Sequence, residues 1–247
     1  MTQEAGSDGA EVWVTSQKSR RLTLGLLGCG VVGPTLFTLS WAVNEALRPH
    51  FNLWQESITM LSRGPDGWIQ DLTFALFGLM SIAFALGLRR VTPPPGGSLW
   101  LPRLQAAIGA GLLVAGLIVQ HRLLLGPGGV RPMGVFTPYG YITVAGLTHV
   151  LAAVVIYVAT VASCLLVGRS LRTQSRAGAA YSLTSGWLYA LCIVGFAVTP
   201  LTGGPAGLFE RLAGLIGAAW TVWFAARTMQ ALLKAEPTRG KAVVTEP

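Results

Sequence analysis

Six long apolar stretches run through this chain, and they restrict its possible folds more than any other feature. Each is about as long as the roughly 20 residues with which an α-helix crosses a hydrocarbon core of about 30 Å. Helices are favoured because backbone groups without hydrogen-bond partners are costly in lipid. The sequence therefore predicts an all-α, polytopic membrane bundle of six transmembrane helices, over residues 22–44, 68–88, 104–125, 143–168, 179–200 and 206–226.

The composition and the segments outside these stretches divide the chain into one domain and two tails. Hydrophobic residues make up 52% of the chain and charged residues only 11%, unlike the composition of a soluble globular domain. Residues 17–230 are expected to form a single transmembrane domain. Residues 1–16 and 231–247 are polar, have little apolar surface to bury, and are predicted to be disordered tails.

The positive charges predict which way the helices run. Of the 18 Lys and Arg residues, 13 fall at the end of the helices where both chain termini lie, and five fall at the opposite end. Since short basic loops stay on the cytoplasmic side, both termini are predicted to be cytoplasmic, in a multi-pass protein of the cell membrane. Membrane insertion alone accounts for these basic flanks, so the net charge of +8 does not predict a nucleic-acid partner.

The first helix is predicted to be retained rather than cleaved as a secretory signal. Lys18, Arg20 and Arg21 precede it, as basic residues precede the apolar core of a signal peptide. Its apolar run is nevertheless longer than such a core and lacks a convincing small-x-small cleavage site.

Ionisable residues away from the basic flanks gather at the end of the bundle opposite the termini. All three histidines are predicted there, and His149 lies deepest, eight residues beyond Tyr141 and so about 12 Å into the membrane. Ionisable groups inside a membrane indicate a functional site. We therefore predict an outward-facing polar cavity lined by Asp71, His121, Arg122, His149, Glu210 and Arg211.

Each of the deeper residues also has an explanation without a ligand. Asp71 near a helix N-terminus is favoured by the helix dipole. His149 can stay neutral and hydrogen-bond to a neighbouring helix. Glu210 and Arg211 are adjacent and point about 100° apart, so each needs a different partner, in an interhelix ion pair or in a ligand.

Two segments are predicted to lie over the mouth of this cavity. Residues 45–67 contain Leu53, Trp54 and Ile58 among polar residues, which favours a short interfacial helix that either caps the cavity or only connects two helices. Residues 126–141 are rich in Gly and Pro and predict an irregular loop.

The sequence does not predict a cofactor. A single deep histidine cannot supply the facing pair that commonly holds haem in membrane bundles, and no Cys/His cluster or HExxH motif indicates zinc. Nucleotide-binding and serine-hydrolase motifs do not occur in suitable contexts. The small residues at Ala83 and Gly87, and at Gly214 and Ala218, predict close packing between helices.

A set of motifs spread over much of the chain resembles a known family. They are His-Phe-Asn at 50–52, Ile-Thr-Met-Leu-Ser at 58–62, Gly-Pro-Asp-Gly-Trp at 64–68, Phe74, Gly78, Gly-Leu-Arg at 87–89, His149, Gly-Leu-Phe-Glu-Arg at 207–211, and Trp220. Over residues 22–230 the chain resembles the bacterial membrane family called domain of unknown function 998. The resemblance implies a six-helix membrane protein and carries no activity. The chain departs from the family pattern at Thr59, where serine is frequent, and at Thr137-Pro138, where an acidic residue and proline are expected.

Our first functional hypothesis is a membrane protein whose outward-facing cavity binds a membrane lipid or another amphipathic or isoprenoid small molecule. Apolar walls would hold the chain of such a ligand while polar groups hold its headgroup, and arginines would favour an anionic headgroup. The predicted ligand-binding residues are Glu56, Arg63, Trp68, His121, Arg122 and Arg211.

The alternative hypothesis is a metal-independent enzyme that isomerises or cyclises an isoprenoid or lipid by acid–base chemistry. In that case Asp71 or Glu210 would be the general acid and His149 the base. Aromatic residues would stabilise a developing carbocation, and the candidates are Phe74, Phe77, Trp187 and Trp220. A purely structural or assembly role is a third hypothesis, and the oligomeric state is not predicted.

Overall fold

The fold is an antiparallel bundle of six long helices. The computed structural model describes residues 17–62, 66–91, 99–118, 134–137, 140–199 and 202–235. Within these ranges six helices are each long and apolar enough to cross a membrane, which confirms the predicted all-α bundle. They are α1 (Gln17–Ala46), α2 (Gly67–Arg89), α3 (Trp100–Leu117), α4 (Val144–Ser170), α5 (Arg176–Val198) and α6 (Ala206–Lys234).

The six helices form a closed ring in chain order. Each packs mainly against the helices before and after it, and α6 closes the ring against α1. Glycines allow the closest approaches. A Cβ added at Gly78 would lie 2.7 Å from the carbonyl oxygen of Gly109, and one added at Gly87 would lie 2.9 Å from the backbone nitrogen of Leu27. The close packing predicted at Gly87 is therefore present, between α2 and α1.

Large side chains fill the ring at the end where α1 begins and α6 ends, which we call the terminal end. Trp220 of α6 is fully buried and stacks on Phe224, with ring centroids 5.4 Å apart. Its Nε1 donates to Ser182 Oγ over 2.8 Å, and Ser182 donates to the carbonyl of Cys164 over 2.8 Å. These contacts join α4, α5 and α6 in a continuous apolar core at this end of the ring.

The last helix is longer than predicted. α6 continues to Lys234, beyond the predicted end at residue 226 and into the segment assigned to the C-terminal tail. Arg20 of α1 stabilises this end, because its Nη2 donates to the carbonyls of Leu232 and Leu233 over 2.9 and 2.7 Å. The last carbonyls of a helix have no partner within the helix, so a cation placed there supplies one.

The connection between α3 and α4 also differs from the prediction. α3 begins four residues earlier than expected, because Pro102 fits the first turn, where a backbone N–H has no helical acceptor. It also ends eight residues earlier than expected, at Leu117, where Ile118 has an extended conformation. Part of the connection forms an antiparallel pair of strands, β1 (Gly134–Thr137) and β2 (Gly140–Thr143), where an irregular loop was expected. Val135 and Ile142 are paired in this ladder, and β-branched residues of this kind favour strands.

Residues 51–62, which we call the cap, lie over the opposite end of the ring. The cap contains a 3₁₀ helix at Ile58–Ser62, where Ile58 and Leu61 are buried against Trp41 of α1. Leu53 and Trp54 are exposed. The predicted interfacial helix is therefore wrong in its extent, because the apolar side chains of this segment divide between the bundle and the surroundings. We call this end of the ring the cap end.

Candidate ligand-binding cavity

A cavity of about 130 Å³ lies inside the ring beneath the cap. All six helices contribute to its wall, and Ile58 and Thr59 of the cap form its roof. On α6 its lining residues run from Glu210 to Thr221, eleven positions apart, which is about 16 Å at the helical rise. The cavity is therefore elongated along the axis of the bundle, from the cap towards the terminal end.

One face of α6 creates much of this space. The lining positions on this helix recur at intervals of three and four residues, as one helical face requires. Between the two ends of this face the side chains are small, and a Cβ added at Gly214 would meet only Ile58 Cδ1, at 3.9 Å. The interpretation of Gly214 and Ala218 as a helix-packing pair is therefore wrong, since both line the cavity. The full face is Glu210, Ala213, Gly214, Gly217, Ala218 and Thr221.

Aromatic and aliphatic side chains form most of the remaining wall. Phe37 of α1 lies against Phe74 and Phe77 of α2, with ring centroids 4.9 and 5.2 Å apart. Across the cavity, the rings of Tyr157 of α4 and Tyr189 of α5 meet edge to face at 6.3 Å. The wall is thus mainly apolar, whereas the sequence led us to expect a polar cavity.

His149 lies at the cap end of the cavity, on α4. Its side chain is only 8% exposed, and its Nδ1 has no hydrogen-bond partner among the described residues. The imidazole lies beside the main-chain carbonyl of Ala115 of α3 and interacts electrostatically with Asp71 of α2. Asp71 itself is half-buried and does not line the cavity. Of these two predicted catalytic residues, only His149 faces the enclosed space.

Glu210 lines the same end of the cavity and also holds the roof. Its side chain is 9% exposed, and its Oε2 accepts the backbone N–H of Ile58 over 2.5 Å. This bond fixes the start of the 3₁₀ helix of the cap on α6. The structure therefore brings Glu210 and His149, two residues predicted from distant parts of the chain, to one enclosed space.

Arg211 points away from the cavity. Its Nη2 forms a buried ion pair with Oε1 of Glu45 at the end of α1. Its Nη1 donates to the carbonyl of Glu56 over 2.8 Å and to that of Gly207 over 2.7 Å. Of the two alternatives that the sequence left open for Arg211, the structure contains the interhelix ion pair.

Two other predicted ligand-binding residues, Glu56 and Trp68, lie away from the cavity. The Glu56 carboxylate accepts the backbone N–H of Asn52 over 2.9 Å within the cap, and Trp68 is exposed on the outside of α2. Neither residue lines the cavity. Arg63, His121 and Arg122 lie outside the described residues.

The candidate carbocation-stabilising aromatics also divide into two groups. Phe74 and Phe77 line the cavity, as that hypothesis requires. Trp187 is exposed on the outside of α5, and Trp220 is part of the core at the terminal end. In the part of the chain that the structure describes, no group of three or more His, Cys, Asp or Glu residues could hold a metal ion.

Sequence reasoning missed several polar groups that line the cavity. Tyr189 hydrogen-bonds to the side chain of Thr160, and Tyr157 is close enough to Glu210 to interact with it electrostatically. Gln105 donates to Ser163 over 3.4 Å. The sequence of α4 does contain a pattern that could have identified the lining residues of this helix. One helical face is formed by His149, Ala153, Ile156 and Thr160, and all four line the cavity.

The Gly-Leu-Phe-Glu-Arg run at 207–211 anchors the cap to α6. A Cβ added at Gly207 would lie 2.7 Å from the carbonyl oxygen of Leu53, so only glycine permits this approach. Leu208 donates its backbone N–H to the carbonyl of Trp54 over 3.3 Å. The Phe209 ring packs against Gly195 of α5, while the next two residues hold the cap as described above.

Residues 31–227 match the family described as Protein of unknown function (DUF998). The chain belongs to the DUF998 family. The matched residues include the whole cap, the motif that anchors it and every residue that lines the cavity. The family resemblance found in the sequence is thereby confirmed. Comparisons with curated proteins and with solved structures gave no match for this DUF998 chain.

Proposed function

We propose that this DUF998 membrane protein binds a lipid or another amphipathic small molecule in the cavity beneath the cap. The observation that carries the proposal is the form of the cavity, which is elongated, mainly apolar, and carries His149 and Glu210 at its cap end. Binding sites for small molecules commonly combine apolar walls with a few convergent polar groups. An apolar chain would lie along α6 towards Thr221, and a polar group would lie beneath the cap.

The volume of the cavity is sufficient for a small apolar group of such a ligand. An enclosed apolar cavity of about 150 Å³ in another protein binds benzene. A cavity of about 130 Å³ can therefore accept an apolar group of similar size without rearrangement. In this proposal the cap end faces away from the cytoplasm, because most of the basic residues lie at the terminal end.

Filling the cavity tests the proposal. A leucine at Gly214 would occupy the space along α6, since only Ile58 lies within 4 Å of an added Cβ. The matched control is a leucine at Gly25, an exposed position on α1 where an added Cβ meets nothing within 4 Å. Native mass spectrometry of protein purified in mild detergent should show co-purified lipid on wild type and Gly25→Leu, and its loss from Gly214→Leu. Equal retention by all three would refute the proposal.

An acid–base enzyme is a second candidate, because His149 and Glu210 line one enclosed space and Tyr157 interacts electrostatically with Glu210. A carboxylic acid and an imidazole facing one cavity are suited to protonate a substrate at one atom and deprotonate it at another. Lipid and isoprenoid extracts should be compared between cells with wild type, no copy, and Glu210→Gln. Asp66→Asn serves as the control, since Asp66 is exposed at the start of α2 and does not line the cavity.

If the protein is an enzyme, a lipid or isoprenoid species should be consumed in wild type and in Asp66→Asn, and should accumulate equally in the null strain and in Glu210→Gln. Identical extracts from all four strains, with the proteins folded and equally expressed, would refute the enzyme and leave the binding proposal in place.

A further inference from the structure

The charges buried at the cap end do not balance. In the described part of the chain, three side chains with a carboxyl or guanidinium group are buried there: Glu45 at 8% exposure, Glu210 at 9% and Arg211 at 7%. Arg211 is paired with Glu45. The charge of Arg211 attracts the Glu210 carboxylate, and the charge of Glu45 repels it. Glu210 is therefore the surplus buried acid, and its carboxylate faces the cavity.

Among the described residues, no cationic side chain lines the cavity to compensate Glu210. Arg211 is directed to Glu45 and to two main-chain carbonyls, and Arg48 donates to the carbonyl of Leu61. Neither arginine is among the residues that line the cavity. A phosphate or carboxylate headgroup would therefore face the Glu210 carboxylate without a counter-charge from any described lining residue, which disfavours the anionic ligand expected from the arginines in the sequence.

His149 adds a hydrogen-bond acceptor to the same end. Its neighbour, the Ala115 carbonyl, can only accept, so in the neutral imidazole the proton belongs on the nitrogen nearer to that carbonyl. The other ring nitrogen then presents a lone pair. A ligand group that meets both His149 and Glu210 must therefore donate hydrogen bonds.

The aromatic part of the wall favours the same kind of ligand. The cavity is lined by Phe37, Phe74, Phe77, Tyr157 and Tyr189. The face of an aromatic ring attracts a cation, most strongly where water is excluded. A carboxylate, an unpartnered acceptor and several aromatic rings around one space are together complementary to an organic cation.

Resting on the proposed function, we infer that the ligand of this cavity is an amphipathic amine. Its ammonium group lies beneath the cap, where it donates to the Glu210 carboxylate and to the free nitrogen of His149. Its hydrocarbon tail follows the small-residue face of α6 towards Thr221. An ammonium has three donors and one positive charge, so it satisfies both acceptors and balances the surplus acid.

Three ligands with the same tail test this inference. Wild-type protein in nanodiscs of neutral phospholipid is titrated with dodecylamine, dodecanol or dodecanoic acid, and bound ligand is counted by native mass spectrometry. The amine should bind about tenfold more tightly than the alcohol or the acid, because it alone forms a charge-assisted bond in an apolar site.

The matched variants are Glu210→Gln and Asp66→Asn, each of which replaces one carboxylate by an amide. Glu210→Gln keeps an oxygen for the Ile58 N–H and should abolish the preference for the amine while the alcohol still binds. Asp66 is exposed at the start of α2 and does not line the cavity, so Asp66→Asn should keep the preference. Since Glu210→Gln can also loosen the cap, His149→Phe provides a second test and should weaken amine binding without affecting the bond to Ile58.

Different results would refute the amine as ligand and the proposed function of the cavity. Equal binding of amine and alcohol, with no effect of Glu210→Gln or His149→Phe, would overturn the amine and leave the amphipath-binding cavity in place. Tighter binding of the acid would overturn the amine in favour of an anionic ligand. If none of the three ligands binds wild type, and Gly214→Leu loses no co-purified lipid, both the amine and the proposed function are wrong.

Discussion

Removing the Glu45 carboxylate should release the cap from the bundle. Glu45→Ala leaves the Arg211 guanidinium buried with two main-chain carbonyls and the Phe51 ring as its remaining partners among the described residues. Breaking a buried ion pair from one side typically costs about 3 to 5 kcal/mol. Because Arg211 also holds the Glu56 carbonyl, this cost falls on the contact between α6 and the cap rather than on the whole ring.

Hydrogen exchange measures this effect directly. At about 1.4 kcal/mol per factor of ten, a loss of about 3 kcal/mol should raise the exchange rate of cap amides, including that of Ile58, roughly a hundredfold. Amides of the core at the terminal end should be unaffected. Asp71→Ala is the control, since it removes a carboxylate of the same end that makes no contact with Arg211 in the described structure.

A double variant separates the ion pair from the rest of the contact. Apolar residues in place of both partners remove the uncompensated charge, so Glu45→Leu with Arg211→Met should protect the cap better than Glu45→Ala alone. The double variant still loses two carbonyl hydrogen bonds, each contributing about 1 kcal/mol. Unchanged cap exchange in Glu45→Ala, or strictly additive effects of the two sites, would refute the anchoring role of this pair.

Three further predictions concern individual contacts. Gly207→Ala should displace the cap, because the added Cβ would crowd the Leu53 carbonyl. Limited proteolysis should then cut within residues 51–62, and unchanged cleavage would contradict this prediction. Trp220→Phe should lower stability by about 1 to 3 kcal/mol in denaturant titrations, since Ser182 loses a buried partner; a smaller loss would show that this bond is unimportant. Arg20→Gln should speed exchange only in the last turn of α6, and an effect on the cap would argue against a local capping role.

The number and type of helices followed from the sequence because a lipid environment leaves the backbone few alternatives. Each apolar run had to become a helix, and the termini of these helices were limited mainly by local chemistry. The end of α6 was predicted wrongly because it depends on a contact with a residue far away in the sequence. The end of α6 depends on Arg20, more than two hundred residues away, so the apolar pattern alone ended this helix too early.

The candidate site was predicted in part. His149 and Glu210 were identified because ionisable residues inside a membrane are costly and therefore informative. The partner of Arg211 could not be identified, since several acids at the same end were equally compatible with the sequence and only the ring order places Glu45 beside it. The sequence also favoured a polar cavity, because it shows which polar residues are near one end but not which way they point.

Small residues on α6 were misinterpreted for a related reason. A stripe of Gly and Ala predicts close helix packing when a neighbouring helix lies against it. In a ring of six helices, each helix also has a face that turns inward, and there the same stripe leaves empty space. Helical periodicity locates such a face, but the closure of α6 on α1 decides whether it is packed or open.

Photo-crosslinking along α6 tests the cavity most directly. An amphipathic amine with a photoreactive group at the end of its tail is added to membranes that contain the protein, and labelled residues are mapped by peptide mass spectrometry. The account predicts labels on the inward face, at Gly217, Ala218 and Thr221. Labels confined to Leu212 and Leu215, which are exposed on the outside of the same helix, would contradict it.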